Sequence, residues 1–264
     1  MDIIQTIVLA IIEGLTEFIP ISSTAHMKFV NPLLGVTQTP FRDMFEVVIQ
    51  LAAILAVVVV YWKKFFDFKR FGFYIKLFIA VVPALIAGFF LKKYIDAALG
   101  NLSFIAWVMV AGGIILLFVD NFFKQPVINS EEKISTKTAF IIGCGQVLSI
   151  IFPGLSRSAA TIITGMSQKL TRSAAAEFSF FLAVPTMLAA SAKSFLDTYK
   201  TNPEVLGKDN LTILLMGSAV AFIVALIAVK FFIEFLKKYG FRIWGIYRII
   251  VGIIMLLLIW RGIV

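Results

Sequence analysis

Six long apolar runs constrain the fold of this 264-residue chain more than any other feature. Each run is about 17 to 25 residues long, which is the length that a helix needs to cross a hydrocarbon layer of about 30 Å. Lipid offers no hydrogen-bond partner to a backbone, and the alternating pattern of barrel strands is absent. The chain is therefore predicted to be an all-α integral membrane protein with six transmembrane helices, at residues 42–62, 74–91, 103–120, 173–194, 211–230 and 244–260.

Two further apolar segments are interrupted by proline. The first, residues 3–30, breaks at Pro20, and the second, residues 137–165, breaks at Pro153. Neither half of the first segment, residues 3–19 and 22–30, suits a full span, and Pro32 is expected to end it. Both segments are therefore predicted to be re-entrant helical hairpins, which enter the bilayer and leave by the same side.

The order of hairpin and spans occurs twice. A hairpin and three spans fill residues 1–120 and again residues 137–264, within a single membrane domain of residues 1–264. An offset of 133 residues superposes Pro20 on Pro153 and Ser23 on Ser156. Three spans per repeat invert the second copy, so this inverted-topology repeat predicts that the two hairpins meet near the midplane from opposite faces. Because transporters share this architecture, a lipid transporter or flippase is one candidate function.

The distribution of charge predicts membrane orientation. The net charge of +9 comes from short Lys and Arg clusters between the apolar runs, not from one basic stripe, so no nucleic-acid partner is expected. Loops on one side carry 14 basic residues and those on the other side 8. The richer side is predicted to be cytoplasmic, which places both termini and the first hairpin outside. The single cysteine, Cys144, excludes an intramolecular disulfide.

Glu13 and Glu17 lie four residues apart and therefore on one face of the first helix. Carboxylates inside a membrane are costly unless they share a proton, bind a cation or face water. The pair therefore predicts a general base, a site for a divalent cation such as Mg²⁺ or Ca²⁺, or both. The alternative is a pair that is exposed to interfacial water.

Hydroxyl groups and the only histidine follow the first break. Ser22 or Ser23 can cap the second short helix, whose first N–H groups then form an anion site. His26 lies three residues after Ser23, and a Ser–His pair beside carboxylates is typical of an activated nucleophile. Alternatively, the hydroxyls only satisfy the broken backbone and His26 lies at the lipid interface.

The second hairpin contributes a fixed cation. Ser156, Ser158 and Thr161 surround Arg157, whose planar fork matches phosphate oxygens. Arg157 could instead form only a structural ion pair with the glutamates. Two helix starts, several hydroxyls and one arginine together predict a site for phosphate or pyrophosphate.

Residues 13–26 read Glu-Gly-Leu-Thr-Glu-Phe-Ile-Pro-Ile-Ser-Ser-Thr-Ala-His, and residues 153–161 read Pro-Gly-Leu-Ser-Arg-Ser-Ala-Ala-Thr. They resemble the two signature motifs of the bacterial undecaprenyl-pyrophosphate phosphatases of the BacA/UppP family, and the resemblance covers the whole chain. It implies a bacterial inner-membrane enzyme that removes the terminal phosphate of undecaprenyl pyrophosphate, with its active site on the outer side. The product is the monophosphate carrier lipid of peptidoglycan synthesis. The resemblance also implies dependence on divalent cations, and bacitracin resistance, because bacitracin sequesters the substrate.

The resemblance also assigns roles to residues. The acidic motif falls on Glu13 and Glu17, the Ser-Ser and His on Ser22, Ser23 and His26, and the phosphate-binding motif on Ser156, Arg157, Ser158 and Thr161. Our hypothesis for the mechanism is that Ser23 or an activated water attacks phosphorus. Glu17 would be the base, or the ligand of a divalent cation shared with Glu13, and His26 would orient the nucleophile or protonate the leaving group. We therefore expect Glu17, Ser23 and Arg157 to converge in one outward-facing cavity. Gly112-Gly113 permits close helix packing within one chain or in a homodimer.

Overall fold

The chain is helical over almost its whole length. The structure, a computed structural model, describes residues 1–67 and 69–264; Phe68, in the predicted basic loop of residues 63–76, lies outside the described residues. The helices are α1 (Ile3–Thr16), α2 (Ser23–Leu33), α3 (Pro40–Val60), α4 (Trp62–Phe65), α5 (Phe71–Phe90), α6 (Lys92–Leu99), α7 (Leu102–Phe122), α8 (Thr136–Ile151), α9 (Arg157–Ser167), α10 (Arg172–Thr201), α11 (Lys208–Tyr239) and α12 (Arg242–Trp260). Two 3₁₀ turns, Glu131–Lys133 and Pro203–Leu206, lie between them.

Six of these helices, α3, α5, α7, α10, α11 and α12, are long and apolar enough to cross a membrane. They confirm the predicted all-α fold and its six spans. Helices α10 and α11 continue beyond the predicted ends at residues 194 and 230, because a helix does not stop where its apolar run stops. The polar end of α10 carries an exposed Lys193–Asp197 pair at helical spacing.

The two proline-broken segments form the helix pairs α1–α2 and α8–α9. Gln5 near the start of α1 donates to the carbonyl of Leu34 after α2, so this pair returns to the end where it began. The prediction that Pro32 ends α2 is wrong by a few residues. Pro32 removes one N–H in the last turn, but α2 continues to Leu33, and the N–H group of Leu34 still reaches the carbonyl of Val30. Re-entry into the membrane stays a prediction.

The helices of the two predicted repeats pack on each other. Helix α1 lies on α11, α3 on α10 and α11, α5 on α8, and α7 on α12. At the first break, Phe18 packs edge-on against Phe180 of α10 with ring centroids 5.2 Å apart, and both rings are fully buried. This contact packs the first break against α10.

A cluster of ion pairs joins the loops that were predicted to be cytoplasmic. Lys64 donates to Glu131 at 2.9 Å and to Glu177 at 2.8 Å, and Arg70 donates to Glu131 at 3.2 Å. Glu131 is buried. Burial alone would raise the pKa of Glu131, but the hydrogen bonds from Lys64 and Arg70 outweigh it and hold this pKa below its usual value.

Replacing Glu131 with glutamine is expected to lower the free energy of unfolding at pH 7 by about 1–3 kcal/mol, since Lys64 and Arg70 lose their charged partner. A carboxyl with a lowered pKa stabilises the fold above its unfolded pKa and loses that effect as the pH falls. The difference in free energy of unfolding between the parent and the Glu131→Gln variant should therefore shrink below about pH 4.5. Thermal unfolding in detergent measures this loss of stability, and the exposed Glu204→Gln, outside the ion-pair cluster, is the control. A deficit that is independent of pH would contradict this assignment.

Candidate active site

Both broken segments restart their helices with a strained serine. Ser22 caps α2 at φ 70°, and Ser156 caps α9 at φ 76°. Each hydroxyl accepts the N–H of the residue three positions on, at 3.3 Å. Positive φ costs a non-glycine residue about 1–3 kcal/mol and clusters at functional sites. These caps correct the predicted register, because Ser22, not Ser23, is the counterpart of Ser156, and Ser23 is therefore the counterpart of Arg157.

Glu17 connects the two breaks. The hydroxyl of Ser23 donates to Oε2 of Glu17 at 2.6 Å, and Nη2 of Arg157 donates to Oε1 at 2.8 Å. Ser23 and Arg157 are the first residues of α2 and α9, so one carboxylate contacts the starts of both helices. The structure thus brings together the three side chains that were expected to converge. Only 8% of the Glu17 side chain and 12% of the Arg157 side chain are exposed, so their charges interact with little solvent between them.

The serines of the second break link it to the first. Ser156 and Ser158 share a hydrogen bond of 2.9 Å, and Ser158 also donates to the carbonyl of Ile19 at 3.2 Å. The two predicted phosphate-binding serines therefore lie at the junction of the breaks, close to Glu17.

Thr161 lies one turn further along α9, where its hydroxyl donates to the backbone carbonyl of Arg157 at 2.9 Å. Its hydroxyl is 2.6 Å from that of Ser179 on α10, and Arg157 donates to the carbonyl of the same Ser179 at 3.2 Å. Thr161 and Ser179 are both fully buried. Sequence reasoning missed Ser179, since nothing in its own segment distinguishes it from other helix-packing serines.

The expected pair of His26 with Ser23 is replaced by other partners. Nδ1 of His26 is 2.8 Å from the carbonyl of Ser22, and Nε2 is 2.8 Å from the hydroxyl of Tyr247 on α12. A carbonyl only accepts, so Nδ1 donates to it and Nε2 accepts from Tyr247. The side chain that contacts the Ser23 hydroxyl is the carboxylate of Glu17, while His26 binds the carbonyl of Ser22, the residue before Ser23.

Glu13 is fully buried on α1, one turn before Glu17. Neither of its side-chain oxygens has a hydrogen-bond partner among the described residues. Glu17 and Glu46 are near enough to act on it electrostatically. Burying a carboxylate without a partner is strongly unfavourable, so this side chain requires a proton or a cation.

The donors present suit a divalent cation that is shared with substrate. In residues 1–67 and 69–264 no three His, Cys, Asp or Glu side chains are grouped to hold a metal by themselves. Mg²⁺ is, however, commonly held by one or two carboxylates together with substrate phosphates. The unpaired oxygens of Glu13, beside Glu17, fit that pattern.

Arg248 on α12 is the principal residue that sequence reasoning missed. It is fully buried and donates only to backbone carbonyls, including those of Pro20 in the first break and of Gly154 and Leu155 in the second. A signal was present in the sequence, because Arg248 is the one charged residue within the predicted span 244–260. A charge inside a span indicates a functional site by default.

Comparison with known proteins places this geometry in a family. The family model described as bacitracin resistance protein BacA matches residues 6–254 and so includes both breaks. The chain belongs to the BacA family. Three similar relatives are each named undecaprenyl-diphosphatase, and the alignments cover at least 96% of both chains. They are from Porphyromonas gingivalis (48% identical), Flavobacterium johnsoniae (50%) and Bdellovibrio bacteriovorus (42%). These BacA relatives give no support to the transporter alternative.

Proposed function

We propose that this BacA family member is a membrane phosphatase that hydrolyses undecaprenyl pyrophosphate to undecaprenyl phosphate and inorganic phosphate. The observation that carries the proposal is the contact of one carboxylate, Glu17, with the hydroxyl of Ser23 and the guanidinium of Arg157. A base, a nucleophile and a phosphate-binding cation thus meet at the starts of two helices. The name of the relatives supports the lipid substrate.

Binding of the pyrophosphate uses groups that favour anions. Arg157 presents a planar fork of N–H donors, which matches phosphate oxygens in charge and geometry. Helices α2 and α9, each 11 residues long, direct their positive ends at the same place. These donors also stabilise the negative charge that develops on the phosphoryl oxygens during transfer.

Chemistry begins at Ser23. Its Oγ attacks the terminal phosphorus while Glu17 accepts the hydroxyl proton along the existing hydrogen bond of 2.6 Å. The bond from that phosphorus to the bridging oxygen breaks, and its electron pair leaves with undecaprenyl phosphate. Glu17 gives this proton to the departing phosphate oxygen and is a carboxylate again. Water then attacks the phosphoserine, Glu17 accepts a proton from this water and returns it to the serine oxygen as the phosphorus–serine bond breaks, and inorganic phosphate is released. His26, held by Tyr247, orients the turn that carries Ser23.

Glu13 and Glu17 would hold a divalent cation, Mg²⁺ or Ca²⁺, together with the phosphates of the substrate. When bound, such an ion neutralises charge on phosphoryl oxygens. The buried oxygens of Glu13, which have no partner in the described part of the chain, support this assignment.

The proposed location is the bacterial inner membrane, with the site open to the outer side. Six apolar helices support a multi-pass membrane protein. The excess of basic residues in the loops around Lys64 and Arg172 supports the cytoplasmic assignment of that side. The prenyl tail would then lie among the helices or against lipid, while the pyrophosphate reaches Glu17 from outside.

The direct test is phosphate release by detergent-purified protein from long-chain and short-chain prenyl pyrophosphates. We expect one inorganic phosphate and one prenyl monophosphate per substrate molecule, and loss of the activity on addition of a chelator, with recovery on adding Mg²⁺ or Ca²⁺. Ser23→Ala is the inactive comparison, and exposed Lys193→Ala is the matched active control. Absence of phosphate release by a folded protein supplied with either cation would refute the proposal.

A further inference from the structure

Arg248 uses all of its donors on backbone carbonyls. The guanidinium carries five N–H groups, and the side chain makes five hydrogen bonds. Nη1 reaches the carbonyls of Pro20 at 3.1 Å and Leu155 at 2.7 Å, and Nη2 reaches that of Gly154 at 2.8 Å. The two remaining bonds, each 3.3 Å long, go to the carbonyls of Val108 and Met109 on α7. One side chain therefore binds both breaks and a spanning helix.

The positions of these carbonyls matter for the site. Pro20 lies between Glu17 and Ser23, and Leu155 comes two residues before Arg157. The segments that Arg248 binds are thus the segments that carry the base, the nucleophile and the phosphate-binding cation. If either segment moved away from α12, Ser23 and Arg157 would separate from Glu17.

The fold leaves dedicated space for this guanidinium. A Cβ added at Gly112 on α7 would lie 2.3 Å from Nη2 of Arg248. Gly154 adopts φ +99°, and a Cβ there would lie 2.7 Å from the carbonyl oxygen of Ile105. A side chain at either position would displace Arg248 or the break that it binds.

The charge of Arg248 is not neutralised by a carboxylate. Throughout residues 1–67 and 69–264 its hydrogen-bond partners are neutral carbonyls, and no ion pair includes it. It is near enough to His26 to act on that ring electrostatically. Its field therefore adds to that of the helix starts, whereas the charge of Arg157 is balanced by Glu17.

We propose that Arg248 is a positioning residue that fastens both helix breaks to α7 and α12 as one rigid unit, and that its unneutralised charge favours the anionic substrate. The second part rests on the proposed phosphatase function, and the first part does not. Arg248 acts through the carbonyls that it binds and need not touch the reacting atoms.

Hydrogen–deuterium exchange of purified protein tests the first part without any substrate. In Arg248→Met we expect exchange within residues 17–22 and within residues 152–156 to accelerate together, by about tenfold or more, as local opening becomes easier. Gly112→Ala should reproduce this pattern, because its Cβ displaces the same guanidinium. Gly245→Ala is the matched control, because its Cβ meets the carbonyl oxygen of Gly113 at 2.8 Å and Leu117 in the same α7–α12 interface, and neither residue accepts a hydrogen bond from Arg248.

Phosphate release tests the second part. Arg248→Met should lower kcat/KM by about 10²-fold, as expected when reacting groups are misplaced by about 1 Å. The loss should include a raised KM, because a fixed cation is removed. Arg248→Lys keeps the charge but has only three donors, so it should retain the parent KM more closely while kcat stays low. Exposed Arg261→Met at the end of α12 should leave both unchanged.

The outcomes separate the two proposals. If hydrogen–deuterium exchange accelerates in both breaks of Arg248→Met while the parent protein releases no phosphate, the positioning role is supported and the phosphatase function is refuted. Faster exchange in one break alone, unchanged exchange, or the same pattern in Gly245→Ala would overturn the positioning role. If Arg248→Met does not fold, Arg248→Lys and Gly112→Ala supply the same measurements.

Discussion

Replacing Arg157 with alanine is expected to lower kcat/KM for a polyprenyl pyrophosphate by about 10³- to 10⁵-fold, the loss typical of removing an arginine that stabilises phosphoryl transfer. The contact with Glu17 and the support of Ser179 hold its guanidinium at the junction of the two breaks. KM should rise and kcat should fall, because Arg157 binds the phosphates before and during transfer. Steady-state phosphate release measures both constants.

The same substitution leaves the nearly buried carboxylate of Glu17 without its cation. Removing one partner of a buried ion pair destabilises a protein by about 3–5 kcal/mol, so lost activity must be separated from lost folding. The double variant Arg157→Ala/Glu17→Gln removes both charges and should recover thermal stability without recovering activity. Arg157→Lys should be about tenfold more active than Arg157→Ala, since it restores charge but not the planar fork. Near-normal phosphate release by folded Arg157→Ala would contradict the assignment.

Replacing Glu17 with glutamine is expected to lower kcat by about 10²- to 10⁴-fold, the usual contribution of a positioned general base. The amide can still accept the hydrogen bond of Ser23 but cannot take its proton. At a saturating concentration of divalent cation KM should not rise, because Arg157 is then free of its carboxylate and available to phosphate. This kinetic signature is opposite to that of Arg157→Ala and separates the base from the binding cation.

Ser23→Ala provides the matched comparison for the Glu17 variant. If Ser23 and Glu17 act as one unit, the double variant Ser23→Ala/Glu17→Gln should be no slower than the slower single variant. Mass spectrometry of acid-quenched parent enzyme should detect a phosphoryl group on Ser23. Additive losses would show that the two side chains act in separate steps, and exposed Asp197→Asn should leave kcat unchanged.

The spans and breaks could be predicted from sequence because their causes are local. Membrane-crossing length follows from an apolar run, and Pro20 and Pro153 remove donors that a continuous helix needs. Helices α10 and α11 extend past their apolar runs, since helix propensity and pairs such as Lys193–Asp197 continue into the polar ends.

Part of the site could also be predicted. Intramembrane carboxylates, an arginine and paired hydroxyls are conspicuous in an oily sequence, and the contact of Glu17 with Ser23 and Arg157 follows from the predicted meeting of the breaks. The register of the repeat was wrong by one residue, because cap geometry at Ser22 depends on a backbone angle that residue spacing does not reveal.

The remaining contacts depend on tertiary distance. Tyr247 reaches His26 and Arg248 reaches Pro20 across more than 200 residues of chain, so no local pattern connects them. The histidine near Ser23 suggested a Ser–His pair, whereas packing against α12 supplied a different partner. The sequence shows Arg248 as a charged residue within a predicted span, but its five carbonyl partners depend on the fold.

The Glu17–Arg157 pair also determines which chemical groups an inhibitor needs in order to bind at this site. Without a divalent cation, a ligand that presents only negative oxygens gains the contact with Arg157 but meets repulsion from the adjacent carboxylate of Glu17. A ligand that combines an anionic oxygen with a neighbouring hydroxyl satisfies both side chains at once. Prenyl α-hydroxyphosphonates have this arrangement, and they should bind more tightly than the corresponding phosphonates that lack the hydroxyl.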